Sequence, residues 1–172
     1  MRVLLTVLAA LAAVAALAIF GLSSAGAPRG GRVAPALPRE ALSGRPVTLA
    51  GVLSRTRGRP ALVVFWASWC TSCRAEAPAL ERFYRSAEGR GRIVGVDWSD
   101  PLTAEARKFV RQYRWTFPIV RDAEGSVGNA YGLGAGLPDT FVVGAHERIR
   151  AVLRGPQTVS SLRDALARVE RS

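Results

Sequence analysis

Side chains that bind metals or undergo redox chemistry are scarce in this chain of 172 residues, which has two cysteines and one histidine. A structural zinc site needs four ligands, and Cys70, Cys73 and His146 supply only three. Covalent haem attachment of the c type needs CxxCH, whereas the residue after Cys73 is Arg74. A domain of about 125 residues folds without disulfide staples. We therefore predict no metal and no bound cofactor, and the two cysteines are available for chemistry.

Lysine is almost absent as well, although the net charge is +11. Lys108 is the single lysine among 24 basic residues, and no basic stripe is interleaved with aromatic side chains as in many nucleic-acid-binding surfaces. Residues 28–60 hold seven arginines and one acidic residue, so over half of the excess charge lies there. We predict no nucleic-acid partner. This stretch is either a solvated tether or a segment that lies on an anionic membrane surface.

Charged residues are missing altogether from Val3–Leu22, a run of twenty residues that is long enough to span a bilayer. We predict that residues 1–22 are a single-pass membrane anchor and that the domain lies outside the cytoplasm. The alternative is cleavage of a signal peptide near Ala27, which would release a soluble exported protein. The arginines that follow oppose this orientation, but large domains translocate largely regardless of charge. Residues 23–45 are then a flexible basic linker, and residues 46–172 form one domain.

The two cysteines lie three positions apart at a predicted strand-to-helix junction. Ala61–Trp66 is an apolar run typical of a buried strand, and a helical pattern begins directly after it. The positions that share one face of this helix are Cys73, Ala77, Leu80 and Tyr84. Cys70 is therefore at the helix N-terminus, where the macrodipole favours a thiolate and lowers the pKa from ~8.5 to as little as ~3.5 in such motifs. A static disulfide would close only a two-residue loop and stabilise little. We predict that Cys70 is the nucleophile and Cys73 the resolving thiol.

Elsewhere in the domain, apolar runs of strand length alternate with helical patterns. The predicted strands are 47–49, 61–66, 93–96, 119–120, 140–143 and 149–153. The predicted helices are 51–55, one that starts at Cys70, 101–113, 127–131 and 159–169. Asp100 is the predicted N-cap of helix 101–113, with Ala104, Phe109 and Val110 on its inner face. This order predicts the α/β class, with a central mixed sheet and helices on both of its faces.

Four motifs of the domain carry a family resemblance. They are Phe65-Trp66-Ala67-Ser68-Trp69-Cys70-x-x-Cys73, the pair Glu76 and Pro78, Phe117-Pro118, and Gly136-Leu137-Pro138-Asp139-Thr140-Phe141. From about Pro46 to Ser172 the chain resembles thioredoxin-fold proteins and, more narrowly, the membrane-anchored group of the TlpA, ResA and CcmG (DsbE) proteins, which is linked to cytochrome c maturation. The resemblance implies a thioredoxin-like domain that is preceded by an N-terminal apolar helix.

The resemblance also implies roles for residues outside the cysteine pair. Pro138 matches the family's cis-proline, which packs against the CxxC motif, and the backbone of Leu137 would pair with the extended chain of a substrate. Glu76 matches a glutamate that exchanges a proton during the reaction. It shares a helix face with Leu80 and Phe83, which predicts that it is buried and that its pKa is raised. The alternative for Glu76 is an ordinary acidic residue stabilised by the helix dipole.

Two further residues near the cysteines have predicted roles, and two positions depart from the resemblance. Trp69 is predicted to shield the thiols and contact partners, and Pro78 to kink the helix because an interior proline removes one hydrogen bond. Val64 stands where thioredoxins carry a buried acid, and Ser72 stands where proline is common. The motif therefore does not fix the reduction potential, which such central residues help to tune.

The motif and the resemblance together predict a monomeric thiol–disulfide oxidoreductase that acts as a reductant outside the cytoplasm. By resemblance, its substrates are protein disulfides, apocytochrome c among them, and a membrane thiol carrier is its electron donor. An oxidase that introduces disulfides would use the same residues. A peroxidase is disfavoured because Ala67 stands where peroxiredoxins carry threonine. A non-catalytic tethered binding module would leave the CxxC motif without a use.

Overall fold

Six strands form one mixed sheet in residues 31–172, the part of the chain that a computed structural model describes. They are β1 (Ala41–Ser43), β2 (Ala61–Trp66), β3 (Ile93–Trp98), β4 (Ile119–Asp122), β5 (Asp139–Gly144) and β6 (Arg148–Arg154). Their order in the sheet is β1-β4-β3-β2-β5-β6. β3 is parallel to both β2 and β4, whereas the other neighbours are antiparallel. The prediction of a mixed α/β sheet is confirmed.

Helices of the described residues cover both faces of this sheet, also as predicted. They are α1 (Leu49–Arg55), α2 (Thr71–Arg85), α3 (Thr103–Gln112), α4 (Ser126–Tyr131) and α5 (Val159–Glu170), and a 3-10 turn at Ala145–Glu147 joins β5 to β6. Alternate residues of β2 point to opposite faces. Leu62, Val64 and Trp66 pack with α2, α3 and α5, whereas Val63 and Phe65 pack with α1 and α4.

The end of β2 is held by aromatic packing. Trp66 is fully buried, and its ring lies 4.7 Å from the ring of Phe109 and 4.9 Å from that of Trp115, measured between centroids. Such aromatic pairs add about 0.5–1.5 kcal/mol to the energy of burial. The last residue of β2 therefore gives a rigid base to the turn that follows it, which contains the CxxC motif.

The strand predicted at 47–49 is wrong, because Val47 and Thr48 lie in a loop and Leu49 begins a helix. The hydroxyl of Thr48 accepts a hydrogen bond from the Gly51 N–H at 3.1 Å, so Thr48 is the N-cap of α1. A threonine side chain in this position satisfies one of the free N–H groups of the first helical turn. Leu49 is consequently the first residue of α1 rather than the last of a strand.

The start of the helix predicted at 101–113 is also wrong. α3 begins at Thr103, and Leu102 rather than Asp100 is its N-cap. Ala104 is exposed, so its predicted place on the inner face is wrong. The buried residues of α3 are Ala106, Phe109 and Val110. Because the helix starts later, Asp100 lies in the preceding loop, where its carboxylate accepts hydrogen bonds from backbone N–H groups.

Residues 31–45 belong to the folded domain, so the domain boundary predicted near Pro46 is wrong. β1 pairs with β4 at the edge of the sheet, and the Ala34 N–H donates to the Glu147 carbonyl oxygen at 2.7 Å. Leu37 and Leu42 are buried. Proline and glycine break the apolar pattern of this segment, which is why it reads as a linker. The rest of the predicted linker and the predicted anchor at 1–22 lie outside the described residues.

Leu42→Ala is expected to lower the free energy of unfolding by about 2–4 kcal/mol, because the truncation leaves a cavity in a packed cluster. Val33→Ala is the matched control, since Val33 lies in the same segment and is exposed. It should change stability by less than about 0.5 kcal/mol. Urea unfolding followed by tryptophan fluorescence measures both variants. Equal, small effects would show that residues 31–45 contribute nothing to the fold.

Within residues 31–172, no helix combines the length and the apolar character that crossing a membrane requires.

Candidate active site

The CxxC motif lies where β2 ends and α2 begins. A turn closes there with a hydrogen bond from the Cys70 N–H to the Ala67 carbonyl oxygen at 3.2 Å. Cys70 is the N-cap of α2, and it forms a disulfide with Cys73 with an S–S distance of 2.09 Å. The Cys73 N–H donates to the Cys70 sulfur at 3.0 Å. This N–H belongs to the first helical turn and has no carbonyl partner within the helix, so it would stabilise a Cys70 thiolate.

The two sulfur-bearing residues differ in their access to solvent. Cys70 is 6% exposed and Cys73 is 1% exposed. Beside Cys70, Trp69 is 52% exposed, and its ring centroid lies 6.5 Å from that of Trp98. An incoming group would therefore meet Cys70 before Cys73 and would meet the Trp69 indole next to it. The contact of Trp69 with partners stays a prediction.

The Leu137–Pro138 peptide bond is cis, as the resemblance implied. Leu137 is half-buried and packs against the apolar cluster that contains both cysteines. Among residues 31–172, neither the N–H nor the carbonyl oxygen of Leu137 takes part in a hydrogen bond. These backbone groups are therefore open to an extended chain, and their use by a substrate stays a prediction.

Asp139 holds the loop that contains the cis-proline. It is buried, and its Oδ2 accepts hydrogen bonds from the Gly134 N–H at 2.8 Å and from Arg154 Nη1 at 2.6 Å. A hydrogen bond from a cation to a carboxylate is about twice as strong as a neutral one. One carboxylate therefore fixes both the start of the loop and the strand β6 behind it.

Glu76 lies three residues beyond Cys73 on α2 and is 1% exposed, which confirms the predicted burial. Neither of its carboxylate oxygens has a hydrogen-bond partner among residues 31–172. Burial raises the pKa of Glu76 to about 8, and the backbone of Gln157, close to the carboxylate but outside hydrogen-bonding geometry, opposes part of this shift. The carboxyl group can consequently gain or lose a proton near neutral pH. Its part in the reaction stays a prediction.

A second buried acid, Asp97, escapes prediction from the sequence. It is fully buried on β3 opposite Trp66 of β2, and its nearest cation is Arg121, with Nε 3.5 Å from Oδ2. Burial raises the pKa of Asp97 to about 8, with a smaller contribution in the same direction from Asp100, while Arg121 opposes the shift. The strand predicted from the sequence, 93–96, stops one residue before Asp97 and places this acid in a loop. An acid directly after a buried apolar strand is the signal that could have identified it.

Asp100 holds the turn before Cys70 instead of capping α3. Its Oδ2 accepts a hydrogen bond from the Ser68 N–H at 2.7 Å, and its Oδ1 accepts one from the Leu102 N–H at 3.4 Å. The Ser68 carbonyl oxygen in turn accepts a hydrogen bond from Arg74 Nη2 at 2.8 Å. Both backbone groups of Ser68 are thus held by side chains from other parts of the site.

Pro78 lies inside α2 on its exposed side, and the helix continues beyond it to Arg85. The missing N–H of Pro78 therefore does not end the helix, and the predicted kink stays a prediction. Cys70, Cys73 and Glu76 all lie in the first turns of this helix. The cis-proline loop comes from a separate part of the chain.

Comparison with known proteins identifies relatives whose names describe thiol–disulfide exchange. The AhpC/TSA family model matches residues 31–152. The thiol-disulfide oxidoreductase ResA of Geobacillus thermodenitrificans is 30% identical over 119 residues, which cover 69% of this chain and 67% of ResA. The thiol:disulfide interchange protein DsbE of Pseudomonas fluorescens biotype C is 37% identical over 112 residues, which cover 64% of this chain and 60% of DsbE. The chain thus spans about three fifths to two thirds of the length of these relatives.

A solved structure shows the same fold. It is a secreted disulfide oxidoreductase of Mycobacterium tuberculosis, homologous to DsbE of E. coli, with a TM-score of 0.60 and 25% sequence identity. The superposition covers 75% of this chain and 92% of that chain. The thioredoxin-like architecture that the motifs predicted is therefore confirmed for the described residues.

Proposed function

Because this chain belongs to the AhpC/TSA family and carries the disulfide pair of a thiol–disulfide oxidoreductase, we propose that it reduces disulfide bonds in exported proteins. The observation that carries the proposal is the Cys70–Cys73 disulfide with Cys70 at the N-terminus of α2. As a structural cross-link this bond would close too short a loop to stabilise the fold. The function of the Cys70–Cys73 bond is therefore to open and close reversibly.

The reaction starts from the dithiol form of the chain. The Cys70 thiolate attacks one sulfur of the substrate disulfide, so a mixed disulfide forms and the other substrate sulfur leaves with the electron pair and takes up a proton. The Cys73 thiolate then attacks Cys70 Sγ, which releases the second substrate thiol. The chain is left with the Cys70–Cys73 disulfide, and two electrons have passed to the substrate. A thiol donor in the membrane reduces the chain again by the same steps in reverse.

Glu76 serves the second step of this reaction. Cys73 is almost fully buried, so its thiol must pass its proton to a group that is buried with it. Glu76 lies one helical turn away and can accept a proton in its ionised form. A carboxyl group with a pKa of about 8 is matched to proton transfer near neutral pH, because it is neither fully protonated nor a very weak base there.

The substrate chain binds across Trp69 and the cis-proline loop. The open N–H and carbonyl groups of Leu137 can pair with an extended segment, in the manner of a strand added to an edge. The exposed indole of Trp69 supplies apolar contact area beside Cys70. Such binding would align a substrate disulfide with Cys70 without recognising one particular side chain.

Apocytochrome c is the substrate class that the resemblance favours. Its haem-binding cysteines must be free, and a reductant outside the cytoplasm would keep them so. A domain anchored by residues 1–22 would stay close to a membrane electron donor. Support for this location comes from the secretion of the Mycobacterium tuberculosis relative and from the apolar segment itself.

The reduction potential of the Cys70–Cys73 pair tests the direction of electron flow. We expect a value of about −250 mV or lower, close to that of thioredoxin, when the chain is equilibrated in glutathione and dithiothreitol buffers. Thioredoxin in the same buffers is the reference. A value near −120 mV would contradict the proposal, since it would indicate an oxidase that introduces disulfides. The expected value would make a disulfide-bonded CxxCH peptide the next substrate to test.

A further inference from the structure

The carboxylate of Asp100 takes no part in the exchange steps, yet it lies behind the turn that presents Cys70. Asp100 is buried and comes from the loop between β3 and α3, 32 residues beyond its partner Ser68. Its hydrogen bond to the Ser68 N–H is short, at 2.7 Å. Ser68 is a central residue of the turn that the Cys70 N–H closes on Ala67. Movement of Ser68 would therefore move Cys70 relative to the first N–H groups of α2.

Asp100 is itself held in place from β4. Arg121 donates from Nη2 to the Asp100 carbonyl oxygen at 2.8 Å and faces the Asp97 carboxylate with Nε. Asp97 lies close enough to Asp100 for Asp100 to contribute to the raised pKa of Asp97. Arg121 thus contacts the Asp97 carboxylate and the backbone of Asp100 at the same time, and it ties the Asp100 loop to β4. The Asp97 carboxylate has no hydrogen-bond partner among residues 31–172, whereas the Asp100 carboxylate accepts hydrogen bonds from two backbone N–H groups.

We propose that Asp100 is a positioning residue for Cys70: through the Ser68 N–H, its carboxylate holds the turn that places the Cys70 sulfur on the N-terminus of α2. Arg74 holds the same turn from the solvent side, because it donates a hydrogen bond to the Ser68 carbonyl oxygen. The proposal rests on the function proposed above, because it concerns the same nucleophile.

Two substitutions at Asp100 separate the hydrogen bond from the charge. Asp100→Asn keeps an oxygen that can accept from the Ser68 N–H, whereas Asp100→Ala removes the acceptor and leaves that N–H buried without a partner. We expect Asp100→Ala to raise the pKa of the Cys70 thiol and to slow exchange with a small aromatic disulfide about tenfold at pH 7, since small errors of placement are costly. Asp100→Asn should stay within about threefold of the unchanged chain.

The pKa of Cys70 is read from thiolate absorbance at 240 nm during a pH titration of the reduced full-length chain. The exchange rate constant is read from release of the coloured thiol. Equal behaviour of the two variants, whether both unchanged or both slowed, would overturn the proposal. The titration needs no protein substrate, so it still reports on Asp100 if the chain fails to reduce protein disulfides, which would be a failure of the proposed function alone.

A second pair of variants covers the case in which Asp100→Ala does not fold. Arg74→Met removes the hydrogen bond to Ser68 from the exposed side, and Arg111→Met removes an equal charge from the exposed side of α3. We expect Arg74→Met to slow exchange about threefold in high salt, where distant charges are screened, and Arg111→Met to leave it unchanged. Equal rates for these two variants in high salt would also overturn the proposal.

Discussion

Replacing Cys70 by serine is expected to abolish disulfide reduction, whereas replacing Cys73 by serine should stop the reaction after its first step. Serine in place of Cys70 removes the only thiolate that lies at a helix N-terminus and meets solvent. Cys73→Ser retains this nucleophile but cannot resolve the mixed disulfide. The first variant should lose turnover completely, and the second should accumulate a covalent complex with a disulfide-bonded protein substrate. Mass spectrometry of the reaction mixture under non-reducing conditions measures both outcomes.

The two serine variants control for each other. Each one removes the Cys70–Cys73 bond, so both lack the constraint that the disulfide gives to the first turn of α2. A difference between them therefore reports the separate roles of the two thiols and not the loss of the cross-link. A covalent complex that forms with Cys70→Ser and not with Cys73→Ser would reverse the assignment of nucleophile and resolving thiol.

The part of the site that lies within one helix could be predicted from the sequence. The spacing of Cys70, Cys73 and Glu76 falls within two helical turns, and the apolar pattern of α2 fixes which of these side chains point inward. Periodicity is a local property, so no knowledge of the rest of the chain is needed. The burial of Glu76 follows from the same pattern, and the structure confirms it.

Contacts between distant segments could not be predicted in this way. Asp100 has the sequence features of a helix cap, but its strongest hydrogen bond goes to Ser68, 32 residues earlier in the chain. The pKa of Asp97 is raised chiefly by its burial between β2 and β4, and the order of strands in a sheet cannot be read from spacing. β1 could not be predicted from the sequence for a related reason. Its residues form a strand by pairing with β4 at the edge of the sheet, and three residues carry too little pattern of their own.

The largest expected effect on stability is a pH dependence that arises from the two buried acids. Burial raises the pKa of Glu76 from 4.5 to about 8 and that of Asp97 from 3.8 to about 8. Between these values the folded chain keeps protons that the unfolded chain has released. These retained protons stabilise the folded chain. Their contribution to the free energy of unfolding is fully present below the unfolded pKa and is lost as the pH rises through the folded pKa. We therefore expect the free energy of unfolding of the oxidised chain to fall as the pH rises from 5 to 8.

Glu76→Gln should remove one of the two protons responsible for this slope, because glutamine cannot ionise and keeps nearly the same shape. Each proton contributes on the order of 1.4 kcal/mol per pH unit, so the variant should lose about half of the slope and be more stable than the unchanged chain at pH 8. Glu124→Gln, an exposed position, is the matched control and should keep the full slope. Urea unfolding of the oxidised chains at pH 5, 6, 7 and 8 gives the slopes. If Glu76→Gln kept the full slope, Glu76 would be ionised in the folded chain throughout this range, and its carboxylate would be too weak a base for the proton transfer from Cys73 proposed here.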